Sequence, residues 1–183
     1  MPDTMRSMTN TLADFPVSHS NMLDGQDLRN LITSMRPGYG ALSIAEADTA
    51  TITLTGSSTY DEIDEPAWTL DGGGYLFDES DGNGQLTYTG AAPCMALVVA
   101  HLSLTAVGDA DILHMRIGVD GTTDATSEVE FLQVLGATRY TVSTSLLTPL
   151  TNGQYVSLWL ANESATDNAT ALSASIKAVT FPV

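Results

Sequence analysis

The 183 residues are 43% hydrophobic, enough to build the core of one ordinary domain, which excludes a disordered tail. Only 15% are charged, and 22 acidic against 6 basic residues give a formal net charge of −16. Nucleic-acid phosphates and anionic membrane faces would repel such a chain, so neither nucleic acid nor a membrane is an expected partner.

Residues 1–17 lack the continuous apolar stretch of a secretory signal. The longest apolar run, Ala91 to Val107, is interrupted by His101, Ser103 and Thr105 and falls short of the ~20 residues a bilayer needs. Synthesis in the cytoplasm without membrane insertion is the expectation. Residues 1–40 read as an N-terminal arm, holding Arg6, Arg29, Arg36 and most of the methionines. The spacing predicts one short helix from about Asp24, with Leu28, Leu31, Ile32 and Met35 at helical intervals before Arg36-Pro37-Gly38-Tyr39-Gly40 stops it. A lone helix of about three turns is marginal in water, so it needs a partner. Those four apolar side chains are the candidate anchoring residues.

Residues 41–84 alternate short strands, predicted at 42–46, 50–55 and 67–70, with turns and acidic runs such as Asp61 to Glu65 and Asp71-Gly72-Gly73-Gly74. Glu79-Ser80-Asp81-Gly82-Asn83-Gly84 resembles the opening of an EF-hand loop, which makes Glu79, Asp81 and Asn83 candidate calcium ligands. The closing Glu is missing, since position twelve is Gly90, and an ordinary turn before a strand explains the same residues. No metal or other cofactor is therefore expected.

Residues 85–183 are nearly continuous strand pattern, read as 85–89, 94–105, 110–119, 139–147, 153–162 and 170–181, with a further short strand within 128–135. Gly108-Asp109, Asp120-Gly121 and Asn152-Gly153 mark turns. The count suits an all-β fold, an antiparallel two-sheet sandwich of jelly-roll type spanning 41–183, with an N-terminal extended arm and one short helix before it. Side chains alternate along a strand. Cys94, Ala96, Val98, Ala100, Leu102 and Leu104 should thus line the core, as should Leu113, Met115, Ile117 and Val119 of the next strand. If these two strands form a hairpin around Val107-Gly108 with paired numbers summing to 215, His101 stands opposite His114 on the non-core face, where the pair could hold a metal or a proton. In 153–162, Val156, Leu158 and Leu160 point inward while Tyr155 and Trp159 point the other way. Large aromatics there are costly if exposed. Tyr155, Trp159, His101 and His114 are accordingly the candidate intersubunit contacts, and a second packed layer would explain the two aromatics equally.

No Gly-x-Ser-x-Gly elbow, phosphate-binding Gly-rich loop or His-Glu-x-x-His helix occurs, and no catalytic residue is expected. Cys94 is the single cysteine, so no intrachain disulfide can form and a buried thiol is expected. Asn162-Glu163-Ser164 and Asn168-Ala169-Thr170 match glycosylation sequons that a cytoplasmic chain would not use.

Leu86-Thr-Tyr-Thr-Gly90, the apolar run Ala96 to Leu104, Met115-Arg-Ile-Gly-Val-Asp-Gly121, and the stretch from Arg139 through Leu150-Thr-Asn-Gly-Gln-Tyr-Val-Ser-Leu-Trp-Leu160 to the strand ending at Phe181 follow one another in order. This order resembles the tumour-necrosis-factor/C1q-like jelly roll. It is similar to that of bacteriophage capsid decoration, head-fibre and tail-fibre head domains, over roughly residues 41–183, with Asp120 where the pattern often has Asn. The resemblance implies a homotrimer and an N-terminal segment fixing it to a major capsid protein or another virion protein. It further implies a location on the virion surface, as a decoration or head-fibre protein, or in the alternative as a tail-fibre or receptor-binding tip that meets a host-surface glycan or receptor.

Overall fold

The structure, a computed structural model, describes residues 36–45, 48–55, 58–64, 68–71, 74–79, 83–105, 112–132, 139–163 and 169–182. The predicted helix with Leu28, Leu31, Ile32 and Met35 lies outside the described residues, as does Asp81. In chain order the strands are β1 (Tyr39–Ile44), β2 (Ala50–Ile52), β3 (Asp61–Glu62), β4 (Thr69–Leu70), β5 (Phe77–Glu79), β6 (Leu86–Tyr88), β7 (Cys94–Thr105), β8 (Ile112–Val119), β9 (Thr122–Thr123), β10 (Val129–Leu132), β11 (Tyr140–Leu150), β12 (Tyr155–Asn162) and β13 (Ala169–Pro182).

They form two antiparallel sheets, the jelly-roll sandwich expected. Sheet I has the order β11-β7-β13-β1-β4, with β2 also on β13, and sheet II the order β10-β8-β12-β6-β5, with β3 on β12 and β9 on β8. β13 carries a register shift against β7 between Ala171 and Ser173, and on its other edge it pairs with β2 at its start and with β1 further along. The β8–β9 hairpin closes on Asp120 and Gly121, both at positive φ (52° and 78°), as a two-residue turn of this hand requires.

Facing follows the alternation. The even side chains of β7 from Cys94 to Leu104 are 0–1% exposed, and Met115, Ile117, Val156, Leu158 and Leu160 are fully buried against them across the core. Each such Leu, Ile or Val contributes about 1.5–3 kcal/mol by leaving water. Trp68 and Tyr88 join them because their polar ends are met: Trp68 Nε1 donates to Ile63 O at 2.8 Å and the Tyr88 hydroxyl to Ala92 O at 2.8 Å.

The expected β7–β8 hairpin does not form. β7 pairs with β11 and β13 in sheet I, and β8 with β10 and β12 in sheet II. His101 therefore stands beside Ser143 and Ser175, and His114 beside Glu130 and Ala161 on the other sheet. The physical reason is that alternation fixes which face of a strand is apolar and leaves the neighbour open. Two strands packed face to face bury the same residues as a hairpin would.

Candidate functional site

Two surfaces carry what the fold leaves unused. The first is the outer face of sheet I, where the odd side chains of β7 meet their neighbours in rows. Leu147, Leu97, Val179 and Tyr39 form one row across four strands; Pro149, Met95 and Phe181 form the next. On the other side of the first row lie Ser145, Val99, Lys177 and Ala41, then Ser143, His101, Ser175 and Ser43. Leu147 is 60% exposed, and Tyr39, Leu97, Val99, Val179 and Phe181 are 39–46% exposed. None of these outward positions is Asp or Glu, although the chain has 22 of them. Sequence reasoning passed over this surface, yet its signal was present: Met95, Leu97 and Val99 make the start of β7 apolar on both faces.

The second surface is the outer face of sheet II. Tyr155 and Trp159 lie on it, half-buried. The Trp159 indole lies across Gly118, where a Cβ would come within 2.7 Å of its Cδ1, and its Nε1 donates to Ser157 Oγ at 2.9 Å. Trp159 thus finds part of its cover within its own chain. Of the four residues grouped by sequence as intersubunit contacts, His101 alone is on sheet I; His114, Tyr155 and Trp159 are on sheet II.

Around His114 the structure assembles a polar cluster that no sequence motif announced. Asp124 caps a 3₁₀ turn at Ala125–Ser127, its Oδ1 accepting from Thr126 N and Oγ1 at 2.8 and 2.6 Å. Buried Ser127 fastens that turn to β8, its Oγ accepting from Ile117 N at 2.9 Å and donating to Asp124 O at 2.7 Å. Glu128, the next residue, is thereby held over β8. Its Oε2 accepts from the Tyr60 hydroxyl at 2.6 Å and from Arg116 Nε at 2.7 Å and Nη2, while the guanidinium lies 4.2 Å from the centre of the Tyr60 ring. These bonds, first from Tyr60 and then from Arg116, hold the Glu128 carboxyl below the usual carboxylate range. Burial and the bond to Glu128 push the Tyr60 phenol well up. His114 Nδ1 lies 3.7 Å from Glu128 Oε1 and its Nε2 3.5 Å from Glu163 Oε2. The group lines a cavity of about 310 Å³ together with Ser58 and Ala161.

Glu79 ends β5, and Asn83 precedes β6 with its Oδ1 buried and without a hydrogen-bond partner. No group of three His, Cys, Asp or Glu side chains among the described residues is placed to hold a metal ion. Cys94 is buried, and burial raises its thiol pKa. No helix among the described residues is long and apolar enough to cross a membrane.

No family matches the sequence, and no curated protein matches it. Solved structures do. The Eiger TNF of S. frugiperda superposes with a TM-score of 0.56 at 8% identity, over 80% of this chain and 94% of that one. Murine APRIL gives 0.51 at 8%, over 80% and 100%. The vertex protein P5 of phage PRD1 gives 0.53 at 11%, over 79% and 73%. At such identities the likeness shows the fold: this chain is a jelly-roll sandwich of the TNF-like kind, an architecture that a phage vertex protein also has.

Proposed function

We propose that the chain is a non-enzymatic structural protein of a phage particle, displayed on its surface as a homotrimer and fixed to the capsid by its N-terminal arm, as a decoration or head-fibre protein. The observation that carries this is the outer face of sheet I, whose exposed apolar rows contain no acidic residue. Patches beyond a few hundred Å² of contiguous apolar surface are uncommon on monomers and mark contact sites. A net charge of −16 opposes casual association everywhere else. Copies can meet without burying carboxylates only where none stand. Sheet I, with His101 in its outer rows, is accordingly the proposed subunit interface, in place of Tyr155 and Trp159. The shared fold of a phage vertex protein supports the particle, and the order of strands resembling decoration and head-fibre domains supports the site on it.

Copies per purified particle, counted by quantitative gel, test the location. On the order of hundreds, as surface display across a capsid shell requires, supports decoration. A few to tens, with adsorption blocked by free full-length chain, would replace it with the tail-fibre or receptor-binding tip.

A further inference from the structure

The outer face of sheet II has a hollow at the end of β12. Ala161 stands there opposite His114 in β8, and its methyl group forms the floor of the cavity of about 310 Å³. Four segments wall it. His114 and Arg116 come from β8, Glu128 from the residue before β10, Glu163 from the residue after β12, and Ser58 with Tyr60 from the stretch before β3. That stretch is fastened to β12: Ser58 N donates to Asn162 O at 2.7 Å, with Ser58 at a φ of 58°, in the left-handed region that serine seldom adopts. The other walls hold one another. Tyr60 and Arg116 both bond Oε2 of Glu128, and the 3₁₀ turn capped by Asp124 sets Glu128 in place. A lining fixed in this way needs little ordering when a ligand enters.

What the cavity can hold follows from its hydrogen-bonding groups. An apolar guest would take water from them and give no partner in return. The donors are the Ser58 hydroxyl and the Arg116 guanidinium, which has five N–H groups and bonds Glu128 through Nε and Nη2. The acceptors are the carboxylates of Glu128 and Glu163, with Oε1 of Glu128 outside the bonds to Tyr60 and Arg116. An ammonium group only donates and would leave the guanidinium unmatched. A carboxylate or phosphate only accepts and would meet two carboxylates. A hydroxyl donates and accepts at once, so a cluster of hydroxyls on a neutral frame matches both sets. We propose that this cavity binds an uncharged sugar ring, whose neighbouring hydroxyls donate to Glu128 and Glu163 and accept from Arg116 and Ser58. A volume of about 310 Å³ is at the lower end of the range for ligand cavities, about 300–1,000 Å³, and suits one ring. The cavity opens on sheet II, so the site depends neither on assembly through sheet I nor on the chain's place on a particle.

The test uses the full chain, followed by its backbone amide resonances during titration to tens of millimolar. The neutral probes are the methyl glycosides of glucose, galactose, mannose and N-acetylglucosamine. Glucosamine and glucuronate are the charged counterparts, and a short glutamine peptide offers a neutral amide in place of hydroxyls. The expected result is saturable shifts at residues 58–60, 114–116, 128 and 161–163 with at least one neutral glycoside, bound several-fold more tightly than either charged sugar. Ala161→Leu fills the floor and should abolish those shifts. Glu163→Ala removes one set of acceptors from a side chain that is 52% exposed, and should weaken binding several-fold. It keeps the test decisive if Ala161→Leu folds poorly. Absence of saturable shifts with every neutral glycoside, tighter binding of a charged sugar or of the peptide, or undiminished binding in Glu163→Ala would overturn the proposal.

Discussion

Adding one methyl group at Gly118 should expose how the outer face of sheet II is packed. Gly118 sits opposite Ser157 in β12, and its lack of a Cβ admits the Trp159 ring, whose Cδ1 would otherwise lie 2.7 Å from that carbon. Carbon atoms rest at about 3.5–4.0 Å and Nε1 would stand closer still than Cδ1, so in Gly118→Ala the indole must retreat by more than about 1 Å. It then gives up the bond from Nε1 to Ser157 Oγ, worth about 1 kcal/mol, and adds the strain of overpacking, about 1–3 kcal/mol. Ala returns roughly 0.5–1 kcal/mol by being less costly to order than Gly in a strand. The net loss is about 2 kcal/mol, which for a chain of this size lowers the unfolding midpoint by about 4–8 °C. The assay is thermal unfolding at one fixed protein concentration, because the proposed assembly would make the midpoint concentration-dependent. It is run on Gly118→Ala alone and again in a Trp159→Ala background. With the indole gone, the added methyl should cost nothing. An equal loss in both backgrounds would refute the idea that Trp159 is what requires glycine there.

Other substitutions and conditions probe the remaining elements. Leu97→Thr with Leu147→Thr keeps strand-forming residues at two cross-strand neighbours while replacing two exposed leucines by smaller, hydroxylated side chains, a loss of roughly 2 kcal/mol per copy if a sister subunit covers them. Sedimentation should show the assembly dissociating at micromolar concentration while far-ultraviolet circular dichroism stays unchanged; an intact assembly would remove sheet I from the interface. Ser127→Ala leaves the buried Ile117 N–H without its acceptor and should cost about 1–3 kcal/mol in chemical unfolding. Burial pushes the Tyr60 and Tyr88 phenols well above the usual range. Their contribution is complete below the unfolded-state value of ~10 and declines as pH rises above it, because the unfolded chain ionises first. Phenolate absorbance should accordingly show these two tyrosines ionising only with unfolding, and early titration of all six would contradict their burial. Cys94 should stay unreactive to thiol reagents in the native state and react at the rate of unfolding.

The unbroken apolar series at every second residue of β7, Cys94 to Leu104, and of β8, Leu113 to Val119, made their inward faces readable from sequence, and Asp120-Gly121 announced its hairpin turn. The neighbours of β7 were not readable. Its partners β11 and β13 lie about 40 to 90 residues further along, and period two is satisfied equally by a strand alongside and by a strand across the core. β3, β5 and β9, with two or three residues each, are too short to show a period, so the acidic run holding β3 looked like loop alone. Asp61 in fact serves β3 through its carboxylate, which accepts from Thr55 N and Oγ1 at 2.8 and 2.7 Å. The cluster at His114 was half visible. The histidine stood out, but Tyr60, Arg116, Glu128 and Glu163 come from segments that only the folded sheet brings together. The apolar outer rows of sheet I could have been found, since Met95, Leu97 and Val99 occupy positions that a one-sided strand would make polar.

The mass of the full-length chain in solution bears most directly on a sandwich whose outer apolar sheet is covered by sister subunits. Sedimentation equilibrium at micromolar concentration should give three times the 19.3 kDa of one chain. A mass of 19.3 kDa that persists as concentration rises would show the Leu97–Leu147 face standing in water, and the proposed assembly would be wrong.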